Sequence, residues 1–337
     1  MADVSIIGAG SWGIALATVL IKNGHKVTVW SIVESEIEML KKEHEHKDKL
    51  PGVILSDDMV FTTDIREAVS SKDMLVLAVP SPYTRSTSHL MSEYVEDGQL
   101  IVNVAKGIEE STLNTLSQII RDEIKTARVA VMSGPSHAEE VGRGIPTTCV
   151  VGADDKETAE YIQNIFMNEY FRVYTSPDIL GIELGGALKN VVALAAGIAD
   201  GLGYGDNTKA ALITRGISEI SRLGVRMGGK PETFSGLTGI GDLIVTCASM
   251  HSRNRRAGIL IGQGKTMDEA MNEVKMVVEG VYSTKAAVAL AEKYGVEVPI
   301  ISKVNEVLFN DKKASDALKE LMCRDRKSEY SSLPWDK

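Results

Sequence analysis

The chain runs from a short apolar stretch, Asp3–Ile7, straight into Gly8-Ala9-Gly10-Ser11-Trp12-Gly13. It continues from Ile14 to Lys22, a segment rich in Ala, Leu and Ile that Gly24 ends. A strand, a G-x-G-x-x-G turn and a helix in that order admit few folds. The first glycine permits the tight turn, the second lets backbone approach a pyrophosphate, and the third lets helix and strand pack closely. Lys26–Trp30 supplies a second strand and completes a βαβ unit. A dinucleotide would lay its pyrophosphate against the free N–H groups at the helix N-terminus. A glycine-rich turn without a ligand is the alternative, and Trp12 either flanks the dinucleotide or packs the loop.

The alternation continues. Residues 60–63, 74–79, 100–104, 129–132 and 148–151 read as strands with helical segments between several of them. Met74-Leu75-Val76-Leu77-Ala78-Val79 is continuously apolar, as strands buried on both faces of a parallel sheet are. Repeated β-α-β order predicts a doubly wound parallel sheet with right-handed crossovers. From about Pro177 the pattern turns helical, with candidate helices over 183–200, 208–223, 284–293 and Ala314–Met322. The expected class is α/β, with an N-terminal Rossmann-like doubly wound sheet and a C-terminal all-α domain. The boundary falls within 175–190, giving a dinucleotide-binding domain over 1–178 and a helical substrate-binding domain over 179–337. The polar tail after Arg326 is expected to fray.

Composition narrows the function. The 337 residues carry 37 basic and 46 acidic side chains, a net charge of −9, which argues against general nucleic-acid binding. Cys149, Cys247 and Cys323 are isolated and odd in number, so neither a disulfide framework nor a metal site is expected and a reducing compartment is. His44 and His46 sit in a Lys/Glu-rich segment that reads as solvated surface. The first strand leaves no room for a targeting segment, and the apolar run 191–199 is far short of the ~20 residues that span a bilayer. A cytoplasmic protein without membrane insertion is therefore expected.

The cofactor could be NAD or NADP. NAD enzymes place an acid at the end of the second strand and NADP enzymes an Arg nearby. Trp30-Ser31-Ile32-Val33 offers neither. Glu34 is the nearest acid, but with Ser31 it has capping-box spacing and so marks a helix start. The absence of a 2′-phosphate clamp leans towards NAD.

Lys189 is the leading catalytic candidate. On a helix it shares a face with Ala193 and Ala196, in apolar sequence without nearby charge. Desolvation lowers the pKa of such a lysine into the range of a proton acceptor; a snorkelling lysine at a helix edge is the alternative. Lys106 in Asn103-Val104-Ala105-Lys106-Gly107 lies just past a strand end, where ligands of open α/β sheets bind. The small residues of Ser133-Gly134-Pro135-Ser136-His137-Ala138 could cradle an anion, or form a plain turn. Gly236–Leu243 is glycine-dense and carries one acid, Asp242. Ser252-Arg253-Asn254-Arg255-Arg256 reads as an anion site, since Arg and Asn suit forked hydrogen bonding to phosphate, or as an ordinary basic helix start.

Taken together, these segments resemble the bacterial-type NAD(P)-dependent glycerol-3-phosphate dehydrogenases. Gly8–Gly13, Ala105–Gly107, Ser133–Ser136, Leu188–Asn190, Leu237–Asp242, Ser252–Asn254 and Val277–Gly280 match in order, from the glycine loop to roughly residue 325. The resemblance implies that Gly8, Gly10, Ser11, Trp12, Gly13, Ala138, Val277 and Glu279 line the dinucleotide. It implies that Lys106 and Arg253 touch both ligands, and that Gly134, Ser136, Lys189, Asp242, Ser252 and Asn254 bind substrate. Lys189 is the implied proton acceptor, with Lys106 and Asp242 beside it. The implied reaction interconverts dihydroxyacetone phosphate and glycerol 3-phosphate, a supply of glycerophospholipid backbone, and needs no metal. Lys106 and Arg253, if close, would lower the Lys189 pKa further. A homodimer is the family expectation. The family's basic residues after the second strand are replaced by Ile32 and Val33, which bears on NADP preference and not on the reaction. Two alternatives stay open: a related two-domain dehydrogenase of a β-hydroxy or 2-keto acid, and a non-catalytic dinucleotide-binding sensor.

Overall fold

The structure, a computed structural model, describes residues 1–326, 328 and 329. Most of the tail expected to fray lies outside the described residues. Eight strands form one sheet in the order β3-β2-β1-β4-β5-β6-β7-β8: β1 (Asp3–Ile7), β2 (Lys26–Trp30), β3 (Val60–Thr62), β4 (Met74–Leu77), β5 (Leu100–Asn103), β6 (Arg128–Ser133), β7 (Thr147–Gly152) and β8 (Phe171–Ser176). Helices α1 (Ser11–Lys22), α2 (Glu34–Glu43), α3 (Ile65–Val69), α4 (Thr84–Ser92), α5 (Leu116–Glu123), α6 (Ala138–Gly142) and α7 (Lys156–Phe166) alternate with them. The order reverses between β1 and β4, and the glycine loop sits at that switch point, where a crevice for a ligand opens.

The all-parallel expectation needs correction. β6 pairs with β7 antiparallel, and β7 pairs with β8 parallel. The β8 strand was not anticipated from the sequence. Its side chains alternate buried and exposed over Phe171-Arg172-Val173-Tyr174, the pattern of a strand with one solvated face.

The rest of the described chain is helical: α8 (Ile179–Gly201), α9 (Asp206–Arg226), α10 (Pro231–Phe234), α11 (Asp242–Ala248), α12 (Arg253–Gly262), α13 (Met267–Val274), α14 (Glu279–Tyr294), α15 (Pro299–Phe309) and α16 (Ala314–Met322). The central helix, α8, starts where Asp178 accepts a hydrogen bond from Gly181 N at 3.0 Å, an N-cap. It is long and apolar enough to cross a bilayer, yet 94% of that stretch is buried inside the fold, as expected of a helix apolar all round.

The α8–α12 crossing is close because glycines face backbone. A Cβ on Gly197 would lie 2.1 Å from Arg255 O, and one on Gly258 2.3 Å from Leu194 O. Two buried carboxylates also tie elements together. Glu183 on α8 accepts from Ser117 N (2.8 Å) and Oγ (2.6 Å) at the start of α5. Glu219 on α9 accepts from Ile300 N and Ile301 N at the start of α15.

Two local expectations fail. Ser31 and Glu34 form no capping box: α2 begins without a side-chain cap, and the Ser31 hydroxyl instead bonds Val33 N and Glu36. His46 is not solvated but buried, 1% exposed. The segment around it folds back, with His46 and Leu50 forming a bridge.

Candidate active site

Gly8 holds φ at +120°, and a Cβ there would meet the Ala78 carbonyl carbon at 2.9 Å; a Cβ on Gly13 would lie 2.1 Å from Gly8 O. Gly10 is the N-cap of α1, has open space where a Cβ would project, and leaves the helix without a side-chain cap. Trp12 packs against the core of the sheet, while its buried Nε1 has no hydrogen-bond partner. Uncapped N–H groups facing open space and an orphaned buried donor fit a dinucleotide pyrophosphate. Ala138 opens α6, which packs on α1.

The chemistry-bearing groups converge past the ends of β5 and β6. Lys189 on α8 is 6% exposed. Its Nζ donates to Asp242 Oδ1 at 3.0 Å and Thr246 Oγ1 at 2.7 Å. Lys106 donates to the other oxygen, Asp242 Oδ2, at 2.6 Å and to Gly134 O at 3.0 Å. Asp242 therefore bridges two ammonium groups from the two halves of the fold. It begins α11 directly after a π-helical turn, Leu237–Gly241. Burial pulls the Lys189 ammonium down to about 8, with Asp242 opposing and Lys106 assisting. Burial alone would raise the Asp242 carboxyl, but the two lysines outweigh it and hold it below the usual carboxylate range.

The sequence around Lys189 lacks charge, but tertiary structure supplies Asp242. The leading influences on Lys189 are burial, Asp242 and Lys106, and Arg253 is not among them. Its Nη1 donates to Val277 O at 3.1 Å. Burial pulls its guanidinium down from the ordinary value, with Glu279 opposing.

The arginine cluster does not act as one anion site. Arg255 is bound to Asp200 and the Ala248 carbonyl, Arg256 is exposed, and Arg253 is the member drawn towards Val277 and Glu279. Ser252 Oγ caps α12 by accepting from Arg255 N at 3.2 Å. Asn254 donates to Asn190 Oδ1 at 2.9 Å and accepts from Gly280 N at 2.8 Å, pinning α8, α12 and α14 together. Glu279 accepts from both the N–H and hydroxyl of Ser81, past the end of β4. Ser136 donates to Gly134 O at 3.0 Å, and Gly134, at φ +150°, packs so closely that a Cβ would meet Thr148 O at 2.9 Å.

Sequence reasoning missed Thr246, Ser81 and His251, and it quoted Asn190 and His137 within motifs without giving either a role. Thr246 lies one helical turn beyond Asp242, a spacing that puts both on one face. Asn190 is Lys189's neighbour. Ser81 follows a strand end, the same signal that singled out Lys106. The His137 and His251 rings lie 5.8 Å apart beside this cleft, and the buried His137 Nε2 has no partner. Burial, with Lys189 next, lowers the pKa of His137.

A nucleotide-type sheet whose strand ends face a helical unit, with a buried lysine on a carboxylate between them, defines a two-domain dinucleotide-dependent dehydrogenase. Comparison with known proteins narrows the class. Residues 3–159 match the model for the N-terminus of NAD-dependent glycerol-3-phosphate dehydrogenase, and residues 178–319 match that for its C-terminus. A glycerol-3-phosphate dehydrogenase [NAD(P)+] of Agathobacter rectalis is 69% identical over 99% of this chain and all of its own length. That of Fusobacterium nucleatum is 64% identical over 98% of this chain and all of its own. The crystal structure of glycerol-3-phosphate dehydrogenase from Coxiella burnetii superposes with a TM-score of 0.93 at 34% identity, covering 96% of this chain and 99% of that one. The chain belongs to the NAD-dependent glycerol-3-phosphate dehydrogenase family.

Proposed function

We propose that this chain interconverts dihydroxyacetone phosphate and sn-glycerol 3-phosphate with NAD or NADP, supplying the backbone of glycerophospholipids. The observation that carries the catalytic assignment is the buried Lys189 ammonium on Asp242, with Lys106 on the opposite oxygen. When bound, the nicotinamide supplies the hydride chemistry. Gly8, Gly10, Ser11, Trp12 and Gly13 hold the dinucleotide at the start of α1. Ala138, Val277 and Glu279 bound the same crevice, with Glu279 acting through Ser81.

Neutral Lys189 accepts the C2 hydroxyl proton in oxidation, and its ammonium returns that proton to the carbonyl in reduction. A pKa of about 8 leaves both forms populated near neutrality, which suits a reversible proton carrier. Asp242 orients Lys189 and balances its charge. Lys106, tethered to Gly134 O, points a second cation at the substrate and cofactor. Arg253 and the N-terminus of α12 attract the phosphate, with Gly134 and Ser136 on the facing wall. Ser252 and Asn254 shape that N-terminus, because their own polar atoms are engaged in the fold.

The division into 1–178 and 179–337 follows this assignment of tasks. A cytoplasmic homodimer completes the reading; sedimentation at micromolar concentration tests the dimer, and a monomer would remove it. The activity is tested by following reduced-nicotinamide oxidation with dihydroxyacetone phosphate and with unphosphorylated dihydroxyacetone. Turnover requiring the phosphate is expected. Equal rates on both would refute the phosphate assignment.

A further inference from the structure

We propose that this chain selects NAD(H) over NADP(H), and that Ser31 recruits Glu36 as the ribose-facing carboxylate which the strand end itself lacks. The proposal rests on the dinucleotide reading above and adds the identity of the cofactor.

The end of β2 abuts the glycine loop, since Gly8 N donates to Trp30 O at 2.9 Å. In this fold the adenosine ribose lies at the end of that strand, and a carboxylate there accepts from its 2′-hydroxyl. The next residue, Ser31, is 5% exposed. Its Oγ accepts from Val33 N at 3.1 Å and donates to Glu36 Oε2 at 2.9 Å. The chain between them turns into α2, so Glu36 folds back onto the strand end although it stands five residues further on. The carboxylate that the tetrapeptide Trp30–Val33 lacks is thus delivered by tertiary geometry.

The same corner offers little to a 2′-phosphate. Ile32 and Val33, at 74% and 43% exposed, present apolar surface. Glu34 and Glu36 occupy the first turn of α2 and already complement its N-terminal dipole. Lys49 pairs with Glu36 Oε1 and is thereby committed. Lys47 and Lys42 pair with Glu43, at the far end of the helix. Two carboxylates face one engaged ammonium, and a dianion placed there meets net negative charge. A 2′-hydroxyl finds instead the remaining lone pairs of Glu36, each of whose oxygens already accepts one hydrogen bond, from Ser31 and from Lys49. Arg66 lies exposed on α3, past the neighbouring strand β3, and is the cation through which the opposite preference would act.

Isothermal titration of the purified protein with NADH and with NADPH, in the absence of substrate, reads the preference directly. The wild type is expected to bind NADH at least ~10-fold more tightly, a difference of about 1.4 kcal/mol. Glu36→Gln and Ser31→Ala are expected to narrow that ratio. Ile32→Arg, a change at an exposed position that spares the Glu36 network, is expected to tighten NADPH while leaving NADH nearly unchanged. Equal or tighter NADPH binding by the wild type overturns the proposal, most directly if Arg66→Ala then abolishes it. So does a preference for NADH that all three variants leave untouched. Turnover of dihydroxyacetone phosphate is assayed in parallel. Loss of turnover with both cofactors but a retained binding ratio would count against the proposed reaction alone, and binding of neither nucleotide would overturn both.

Discussion

Replacing Asp242 by Asn should move the pH dependence of the reaction to lower pH. The carboxylate lies 3.0 Å from the Lys189 ammonium. At an effective dielectric of ~20, Coulomb's law gives roughly 5–6 kcal/mol for such a pair, a ceiling of about 4 pKa units at 1.36 kcal/mol each. Rehydration and relaxation absorb part of it, and an opposite charge at this distance ordinarily moves a pKa by about 1–3 units. Removing the charge also leaves the Lys106 ammonium facing Lys189 uncompensated, which acts in the same direction.

From a starting value of about 8, the variant's Lys189 should titrate well below neutrality. In the proposed mechanism the neutral amine is the base for oxidation. kcat/KM for glycerol 3-phosphate should therefore rise with pH through about 8 in the wild type, and one or more units earlier in Asp242→Asn. The substrate's phosphate, with a second pKa near ~6, contributes identically to both profiles. kcat/KM is the right quantity because it reports the free enzyme. The height of the profile will fall, since breaking a buried pair costs ~3–5 kcal/mol and disturbs positioning. The position of the limb is therefore what is read, on protein shown by its melting curve to be folded. A limb at or above the wild-type position would refute the assignment of Lys189 as the acceptor and Asp242 as its counter-ion.

Further tests address other parts of the molecule. Lys189→Met should lower kcat by about 10²–10⁴ while NADH still binds in titration; near wild-type turnover would assign the proton elsewhere. Arg253→Ala should chiefly raise KM for dihydroxyacetone phosphate, and an unchanged KM would relocate the phosphate. Glu219 is pushed up by burial to about 7 from 4.5, so its protonated form is the one favoured by folding. The stability it contributes is full below about pH 4.5 and is lost as pH rises through about 7. Glu219→Gln should accordingly gain on the wild type by about 2.5 kcal/mol between pH 5 and 8, and melting curves at both pH values check the sign. Gly197→Ala should cost about 1–3 kcal/mol, because its Cβ would lie 2.1 Å from Arg255 O; an unchanged denaturation midpoint would mean that the crossing relaxes.

Much of the fold was legible because local pattern carries it. The β1-turn-α1 unit is specified by three glycines at fixed spacing, and β4 by an unbroken apolar run. Lys189 stood out because a lone lysine in such apolar sequence must be buried or must snorkel. Strand direction was not legible: an apolar run looks the same whether it pairs parallel or antiparallel, so the reversal at β7 left no local mark. β8 was written in its alternation, but the polar or aromatic character of five of its six residues concealed it. The partner of Lys189 lies 53 residues away, a distance across which no periodicity speaks. The arginine run was misread for the same reason. Asp200 withdraws Arg255 from the cleft across 55 residues, and a cluster of like charges in sequence became one cation in space.

The glycine-on-backbone crossing of α8 and α12 has a consequence for what the cleft can measure. Lys189 and Asn190 sit on one member of that pair, Arg253 and Asn254 on the other, and the Asn254–Asn190 hydrogen bond locks the two at the level of the site. Side chains usually act as adjustable spacers between helices, and substitution over time tunes their separation. Here main chain rests against main chain, so the spacers are absent. The gap between Lys189, the proposed proton acceptor, and Arg253, the proposed phosphate partner, then behaves as a ruler of fixed length. A substrate one carbon longer or shorter between its reacting carbon and its anionic end meets a gauge that cannot be reset by any single side chain along the crossing.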